Sequence, residues 1–441
     1  MAVALTDKQM DEVVRRLTEQ LGPRVARPAP ADKGDPEGGE QTCGALAEGA
    51  YLWCEDLKSL ECRSDNHEVI TRGGVTSPQR CWQIWKRELE AHPDREFSEF
   101  ILRSLREGFR IGFKRAGRLK PAKGNLQSAL EHKEVVDQYI SKEVDAGRLI
   151  RVEKQVHLSP FGVIPKKEAG KWRLIFDLSH PPGASINDGI EKSLASISYV
   201  SVDNVAEVIA ELGRGSFLGK CDVQSAFRHI PIHPRDTGWL GLQWEGKVYI
   251  DSALPFGLRS APKIFTAVAD ALQWVIIRKG VEHLFHYMDD FITIARTEKE
   301  CEAAMQVIQT TAEGLGLPLE PKKTVGPKQQ ITFLGIEIDS ITMEVRLPQE
   351  KLTELLELLE AWLDRKHCTR DNLESLTGKL QFASRVVRPG RCFLQHFYAA
   401  IAVARKKAEV MRVNKTVRAD IRWWHTFAQE WNGTSLLWSC V

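Results

Sequence analysis

Two carboxylates stand side by side, Asp289-Asp290, between the apolar runs HLFHY (283–287) and FITIAR (291–296). Runs this rich in Phe, Ile, Tyr and Thr read as β-strands, so Met288-Asp289-Asp290 reads as the turn of a hairpin. Adjacent like charges repel, and a bound divalent cation is the simplest physical reason to keep them together there. The string Y-x-D-D is short enough to occur by chance, so its surroundings decide its meaning. An earlier carboxylate supplies them. Asp222 ends the run Ser216-Phe217-Leu218 and precedes Val223-Gln224-Ser225-Ala226-Phe227, which can turn into a helix. Standing alone, Asp222 would be a helix cap. Beside the backbone carbonyl of Val223 it is a hard-cation ligand pair of the kind magnesium takes, together with waters and substrate phosphates. Three such carboxylates predict a two-metal clamp for in-line phosphoryl transfer, activating an attacking hydroxyl and neutralising a triphosphate. Lys166, Lys167, Lys171 and Arg173 lie at what reads as the tip of a β-hairpin. They supply cations for that triphosphate, although by themselves they would pass for a charged turn.

Around this centre the chain changes character three times. Residues 6–21 carry Thr6 and Gln9 as a capping box and Met10, Val13, Val14, Leu17 and Leu21 on one face, predicting a short helix. The Pro-, Gly- and charge-rich stretch that follows predicts disorder. Helical patterns return at Trp82, and short β-like runs then alternate with helices at 203–212 and 261–279. ITFLGIEI and ITMEVRL predict a second hairpin about Asp339-Ser340. From Pro348 the pattern is helical, with Leu352, Leu355, Leu356, Leu359 and Trp362 along one face. The fold class is α+β with a helical appendage.

The net charge of +2 does not advertise a nucleic-acid protein, but it hides local clustering. Arg103, Arg106, Arg110, Lys114, Arg115, Arg118, Lys120 and Lys123 face only Glu107 over that span. Such a strip reads equally as a phosphate-binding surface and as a solvated face. No apolar stretch approaches the roughly 20 residues of a bilayer span, and the N-terminus turns acidic too early for a secretory signal. Nine scattered cysteines without C-x-x-C spacing predict reduced thiols, in cytoplasm or nucleus rather than outside the cell.

The segments SPFGVIPKKEAGKWRLIFDLS, CDVQSAFRHIPI, LPFGLRSAPKIF, HYMDDFITIA and FLGIEID occur here in the order and approximate spacing of reverse-transcriptase motifs. The chain therefore resembles RNA-directed DNA polymerases. LRSAPKIFTAVADALQW and HPDREFSEFILRSLREGFRIGF look most like those of DIRS-like, tyrosine-recombinase retrotransposons. The resemblance implies a right-hand polymerase: fingers and a palm with an antiparallel sheet over 82–345, a helical thumb or connection over 346–441, and a partly disordered extension over 1–81. It implies Asp222, Asp289 and Asp290 as catalytic carboxylates which, with Val223, bind two Mg²⁺ or Mn²⁺ ions. Lys166, Lys167, Arg173, Phe227, Phe256 and Gly257 would bind the deoxynucleoside triphosphate, with Phe227 as the ring that excludes a ribose 2′-hydroxyl. Retroviral members often carry glutamine at the Phe256 position, so no hydrogen bond is carried over to it. Tyr287, Met288, Lys323, Phe333, Leu334 and Gly335 would contact primer and an RNA or DNA template. Such elements normally continue into an RNase H domain, and the chain stops about where it would begin, which predicts no RNase H activity. The competing expectation is an inert or domesticated remnant that keeps the fold and binds nucleic acid.

Overall fold

The computed structural model describes residues 76–114, 119–121, 123–166, 170–197, 199–403, 406 and 410–435. The helix expected over 6–21 and the disorder expected after it lie outside these residues. The described chain forms two compact units, residues 76–201 with 218–327, and residues 202–217 with 328–435.

The first unit opens with helices α1 (Trp82–Leu89) and α2 (Arg95–Glu107). Asp94 caps α2, its carboxylate accepting the Phe97 amide at 2.9 Å, which satisfies an otherwise orphaned helix-end donor. Phe97, Phe100, Ile101 and Leu105 recur at helical spacing and are all buried. Helix α3 (Lys133–Asp145) leads into strand β1 (Leu149–Val152), and β2 (Phe161–Pro165) pairs antiparallel with β3 (Trp172–Phe176). Strand β4 (Phe217–Asp222) is followed by β5 (Gly241–Trp244) and β6 (Lys247–Asp251), which join β1 in the order β1-β6-β5. Helix α4 (Ala261–Arg278) is buried on most sides, and its small residues Ala261, Ala267, Ala269 and Ala271 let neighbours pack closely. Strands β7 (Leu284–Tyr287) and β8 (Asp290–Ala295) form the expected hairpin. Helix α5 (Glu298–Gly314) starts at a capping box made by Thr297 and Glu300, and β9 (Val325–Lys328) completes a sheet of order β7-β8-β4-β9.

In the second unit β10 (Gln330–Phe333), β11 (Ile336–Asp339) and β12 (Glu344–Arg346) run antiparallel in succession. The sequence reading took ITFLGIEI as one strand, but it breaks at Leu334-Gly335. Phe333 pairs with Ile336, and both turn residues have positive φ, +49° and +75°. That is the mirror-image two-residue turn whose twist matches its strands, and glycine is the residue that adopts it without strain. The turn expected about Asp339-Ser340 is present, with Asp339 accepting the amides of Ile341 and Thr342 at 2.9 Å each. Helices α6 (Gln349–Leu363), α7 (Arg370–Ala383), α8 (Gln395–Val403) and α9 (Lys415–Phe427) follow. Leu352, Leu355, Leu359 and Trp362 of α6 are buried as their spacing requires.

Candidate active site

The four-stranded sheet brings the two acidic segments together. Strand β4 ends on Asp222, which is 4% exposed, and the amide of Val223 donates to the carbonyl of Asp289 at 2.9 Å. Tyr287 pairs with Asp290 across the hairpin, leaving Met288 and Asp289 as the turn. Met288 holds φ at +54°, a left-handed conformation that costs a non-glycine residue on the order of 1 kcal/mol. Such strain persists only where its surroundings enforce it.

The electrostatics are those of a site short of positive charge. Burial first, then the charge of Asp222, push the Asp289 carboxyl up to about 6. Burial also raises Asp290, against the pull of Lys220 and with the help of Asp222. Lys323 Nζ lies 2.7 Å from Asp222 Oδ2. Partial burial pulls its ammonium down, but the Asp222 hydrogen bond and the charges of all three aspartates raise it overall. A cation thus already rests on one carboxylate. Among the described residues no three His, Cys, Asp or Glu side chains converge into a closed metal cage. An ion completed by substrate phosphates and water needs none. The donors are hard oxygens, and the neighbouring Cys221 thiol is pushed by burial to about 12, so it stays protonated and offers no soft ligand. Asp222, Asp289 and Asp290 therefore offer the hard oxygen donors that a divalent cation takes. A carboxyl titrating near 6 must lose its proton to bind a cation. The Mn²⁺ affinity of the apoprotein should accordingly rise as pH goes from 5 to 7. Calorimetric titration across that range checks it, and an affinity flat in pH would contradict the Asp289 assignment.

The nucleotide-side candidates form a second group. Phe227 follows β4 on a short helical turn, is buried, and stands 5.1 Å from the Phe256 ring between centroids. The Arg173 guanidinium, on β3, lies over that same ring at 4.8 Å. Phe256 thus packs against both Phe227 and Arg173. Gly257 has φ of +104°, and a Cβ there would collide with the Phe176 carbonyl, so the close approach requires glycine. Lys166 precedes the hairpin tip; Lys167 lies outside the described residues. Partial burial, then Arg173 and Lys171, lower the Lys166 ammonium, and the charge of Lys323 also reaches it. This concentration of cations is what a triphosphate would relieve.

Of the remaining candidates, Tyr287 packs against Tyr199 with centroids 4.3 Å apart and the rings tilted by 32°. Phe333, Leu334 and Gly335 belong to the second unit, where Lys351 Nζ donates to the Gly335 carbonyl at 3.1 Å. The basic strip near residue 110 is partly consumed by distant acids: Arg110 chelates Asp236 at 2.8 and 3.0 Å, and Lys114 meets Glu191 at 2.5 Å.

Two supports escaped the sequence reading. Arg228 is 5% exposed and bonds both Glu143, at 2.8 and 2.9 Å, and Asp251, at 2.7 and 3.0 Å. The carboxylates and nearby Tyr139 hold its charge against burial, raising the guanidinium. Asn187 binds the Gly257 carbonyl and the Arg259 amide. A charged residue between Phe227 and Ile230 was the only available signal for the first; nothing marked the second.

A family model described as reverse transcriptase (RNA-dependent DNA polymerase) matches residues 164–338, which include all three aspartates. Residues 164–338 are therefore similar to the reverse transcriptase family. The Pro-Pol polyprotein of feline foamy virus is 26% identical over 261 residues, 59% of this chain and 20% of the polyprotein. The retrovirus-related Pol polyprotein from transposon 412 of Drosophila melanogaster is 26% identical over 206 residues, 45% of this chain and 15% of that one. The chain spans a fifth or less of these relatives. A solved foamy viral protease–reverse transcriptase in complex with double-stranded DNA matches with a TM-score of 0.58 at 18% identity. The match covers 86% of this chain and 64% of that one, so the matched part of the chain has the right-hand polymerase fold.

Proposed function

We propose that the protein is an RNA-directed DNA polymerase of a retroelement, extending a primer 3′ end with deoxynucleoside triphosphates on an RNA or DNA template. The observation that carries this is the backbone bond from Val223 to Asp289, which holds the strand-end carboxylate of Asp222 beside the Asp289-Asp290 turn. Asp222, Asp289, Asp290 and the Val223 carbonyl would hold two divalent ions, Mg²⁺ or Mn²⁺, which would supply the charge that lowers the pKa of a primer hydroxyl and neutralises a triphosphate and its pyrophosphate.

The chain's own residues do the positioning. Arg173 and Lys166 hold the triphosphate, while the Phe256-Gly257 segment packs against the base and sugar. Phe227 closes the space a 2′-hydroxyl would need. Lys323, Tyr287, Met288 and the Phe333-Leu334-Gly335 turn hold the primer and template. In this reading 82–345 are fingers and palm, and 346–441 the thumb. The likeness of LRSAPKIFTAVADALQW and HPDREFSEFILRSLREGFRIGF to DIRS-like polymerases supports a DIRS-like origin; a tree of residues 159–339 that joined the chain to retroviruses instead would reject it. Cys81, Cys221, Cys301 and Cys368 form no disulfide, and no described helix is long and apolar enough to cross a membrane. These features suit work in the cytoplasm or nucleus, and exclusive recovery of the protein from secreted material would contradict that.

The testing experiment is extension of oligo-dT on poly-rA with dTTP and Mg²⁺. Templated extension is expected, and a folded protein that binds the duplex without extending it would reject the activity. The gate has its own test. Phe227→Ala should narrow the preference for deoxy- over ribonucleotides by on the order of 100-fold. An unchanged sugar preference in single-turnover incorporation would move the gate elsewhere.

A further inference from the structure

Phe256 contacts both groups that the proposed activity asks to read the nucleotide, the Phe227 ring at 5.1 Å between centroids and the Arg173 guanidinium at 4.8 Å from its own centroid. Its own side chain is apolar and cannot fix itself by hydrogen bonds, so its position depends on its backbone. The Phe256 carbonyl accepts the Phe176 amide at 3.1 Å. The following residues are secured by one side chain, Asn187. Its Nδ2 donates to the Gly257 carbonyl at 2.9 Å and to Ser179 Oγ at 2.9 Å, while its Oδ1 accepts the Arg259 amide at 2.8 Å. Both amide protons and the carbonyl oxygen are used, and the residue is 5% exposed.

The loop that carries Asn187 is itself fixed. The Asp188 carboxylate accepts from the Ser185 hydroxyl at 2.6 Å and from its amide at 3.1 Å. Arg259 Nη1 returns a bond to the Ile190 carbonyl at 2.7 Å. A Cβ on Gly189 would strike the Phe113 ring, so this turn has no room to drift. The loop therefore grips the 257–259 segment through the buried Asn187 amide, with the Arg259 side chain bonding back to Ile190.

We infer that Asn187 is a positioning residue for sugar discrimination: it holds Phe256 against both Phe227 and Arg173, so that the gate ring and the triphosphate cation keep a fixed spacing. The inference rests on the polymerase reading. Asn187 touches neither nucleotide nor metal in this role and acts only through Phe256. Small displacements of positioning groups are costly because a misplaced sugar loses both exclusion and alignment. A buried amide left partly unmatched would also let the segment shift towards water or another partner.

The experiment measures kcat/KM for dTTP and for UTP on the same primed poly-rA, with thermal melts of every variant. Asn187→Ala removes all three bonds. Asn187→Asp keeps the shape and the acceptor for Arg259 but loses both donors, and it carries the test should the alanine variant melt below the assay temperature. Ser179→Ala removes only the bond on the far side of Asn187. The expected result is that the UTP-to-dTTP ratio rises about tenfold in the Asn187 variants and stays at the wild-type value in Ser179→Ala. A ratio unchanged in folded Asn187 variants overturns the inference. So does an equal fall in both efficiencies, which marks a merely structural amide. Wild-type protein that extends with neither nucleotide rejects the polymerase reading and this inference with it. Wild-type activity with a flat ratio rejects the inference alone.

Discussion

Asn at position 289 in place of Asp should lower primer extension by at least about 1,000-fold while primer–template affinity stays within a few-fold of wild type. The size follows from what is removed. Asp289 is the turn carboxylate locked to the end of β4 by the Val223 amide, and its raised titration near 6 records a buried negative charge that lacks enough counter-charge. An amide of the same shape keeps the backbone bond, because that bond uses the Asp289 carbonyl rather than its side chain. The fold should therefore survive. What is lost is a charged oxygen ligand, and electrostatic stabilisation of a phosphoryl transfer is most of what such a site can offer. Affinity for the duplex rests on other cations and is largely indifferent to one carboxylate. Extension and filter binding measured side by side separate the two effects. Substantial synthesis by Asp289→Asn would remove Asp289 from the metal site.

The second large effect is on stability. Arg228→Ala deletes four short bonds and leaves Asp251, 1% exposed at its side chain, without its guanidinium; Glu143 retains Arg148 at 2.6 Å. Breaking a buried ion network from one side costs about 3–5 kcal/mol, because the stranded charge pays its full desolvation. Chemical denaturation should show that loss as a lower midpoint. Replacing the pair together, Arg228→Met with Asp251→Leu, should recover much of it, since an apolar pair of similar volume leaves no orphaned charge. A wild-type midpoint in Arg228→Ala would mean the network is not holding the turn that carries Phe227.

These two predictions also divide what the sequence made legible from what it hid. The Asp289-Asp290 turn could be read because its signal is local: apolar strand residues on both sides and a charge pair between them. Asp222 could be read for the same reason, as the polar end of an apolar run. Lys323 is legible as a residue shortly before the primer strands, but not its ammonium contact with Asp222, 101 residues earlier in the chain. The Arg228 network joins residues 85 and 23 positions apart, and Asn187 grips a segment 70 positions away. No periodicity or turn rule encodes such pairings; they exist only once strands and helices have been placed. The Leu334-Gly335 turn was missed for a different reason. The usual Asn-Gly or Asp-Gly signature is absent, and leucine in a left-handed conformation is a choice that propensity does not anticipate. The basic strip, which reads equally as a phosphate-binding or a solvated face, has two of its cations met by Asp236 and Glu191 from elsewhere in the chain.

The central claim is that Asp222 and the Asp289-Asp290 turn bind one set of divalent ions. The most direct measurement replaces Mg²⁺ with Fe²⁺ in the full chain, adds peroxide, and maps where the backbone is cut by radicals released at the bound iron. The account predicts two coincident cut sites, next to Asp222 and next to Asp289, both suppressed by excess Mg²⁺ and both lost in Asp289→Asn. Cutting at only one of the two segments, or cutting at both that persists in Asp289→Asn, would contradict it.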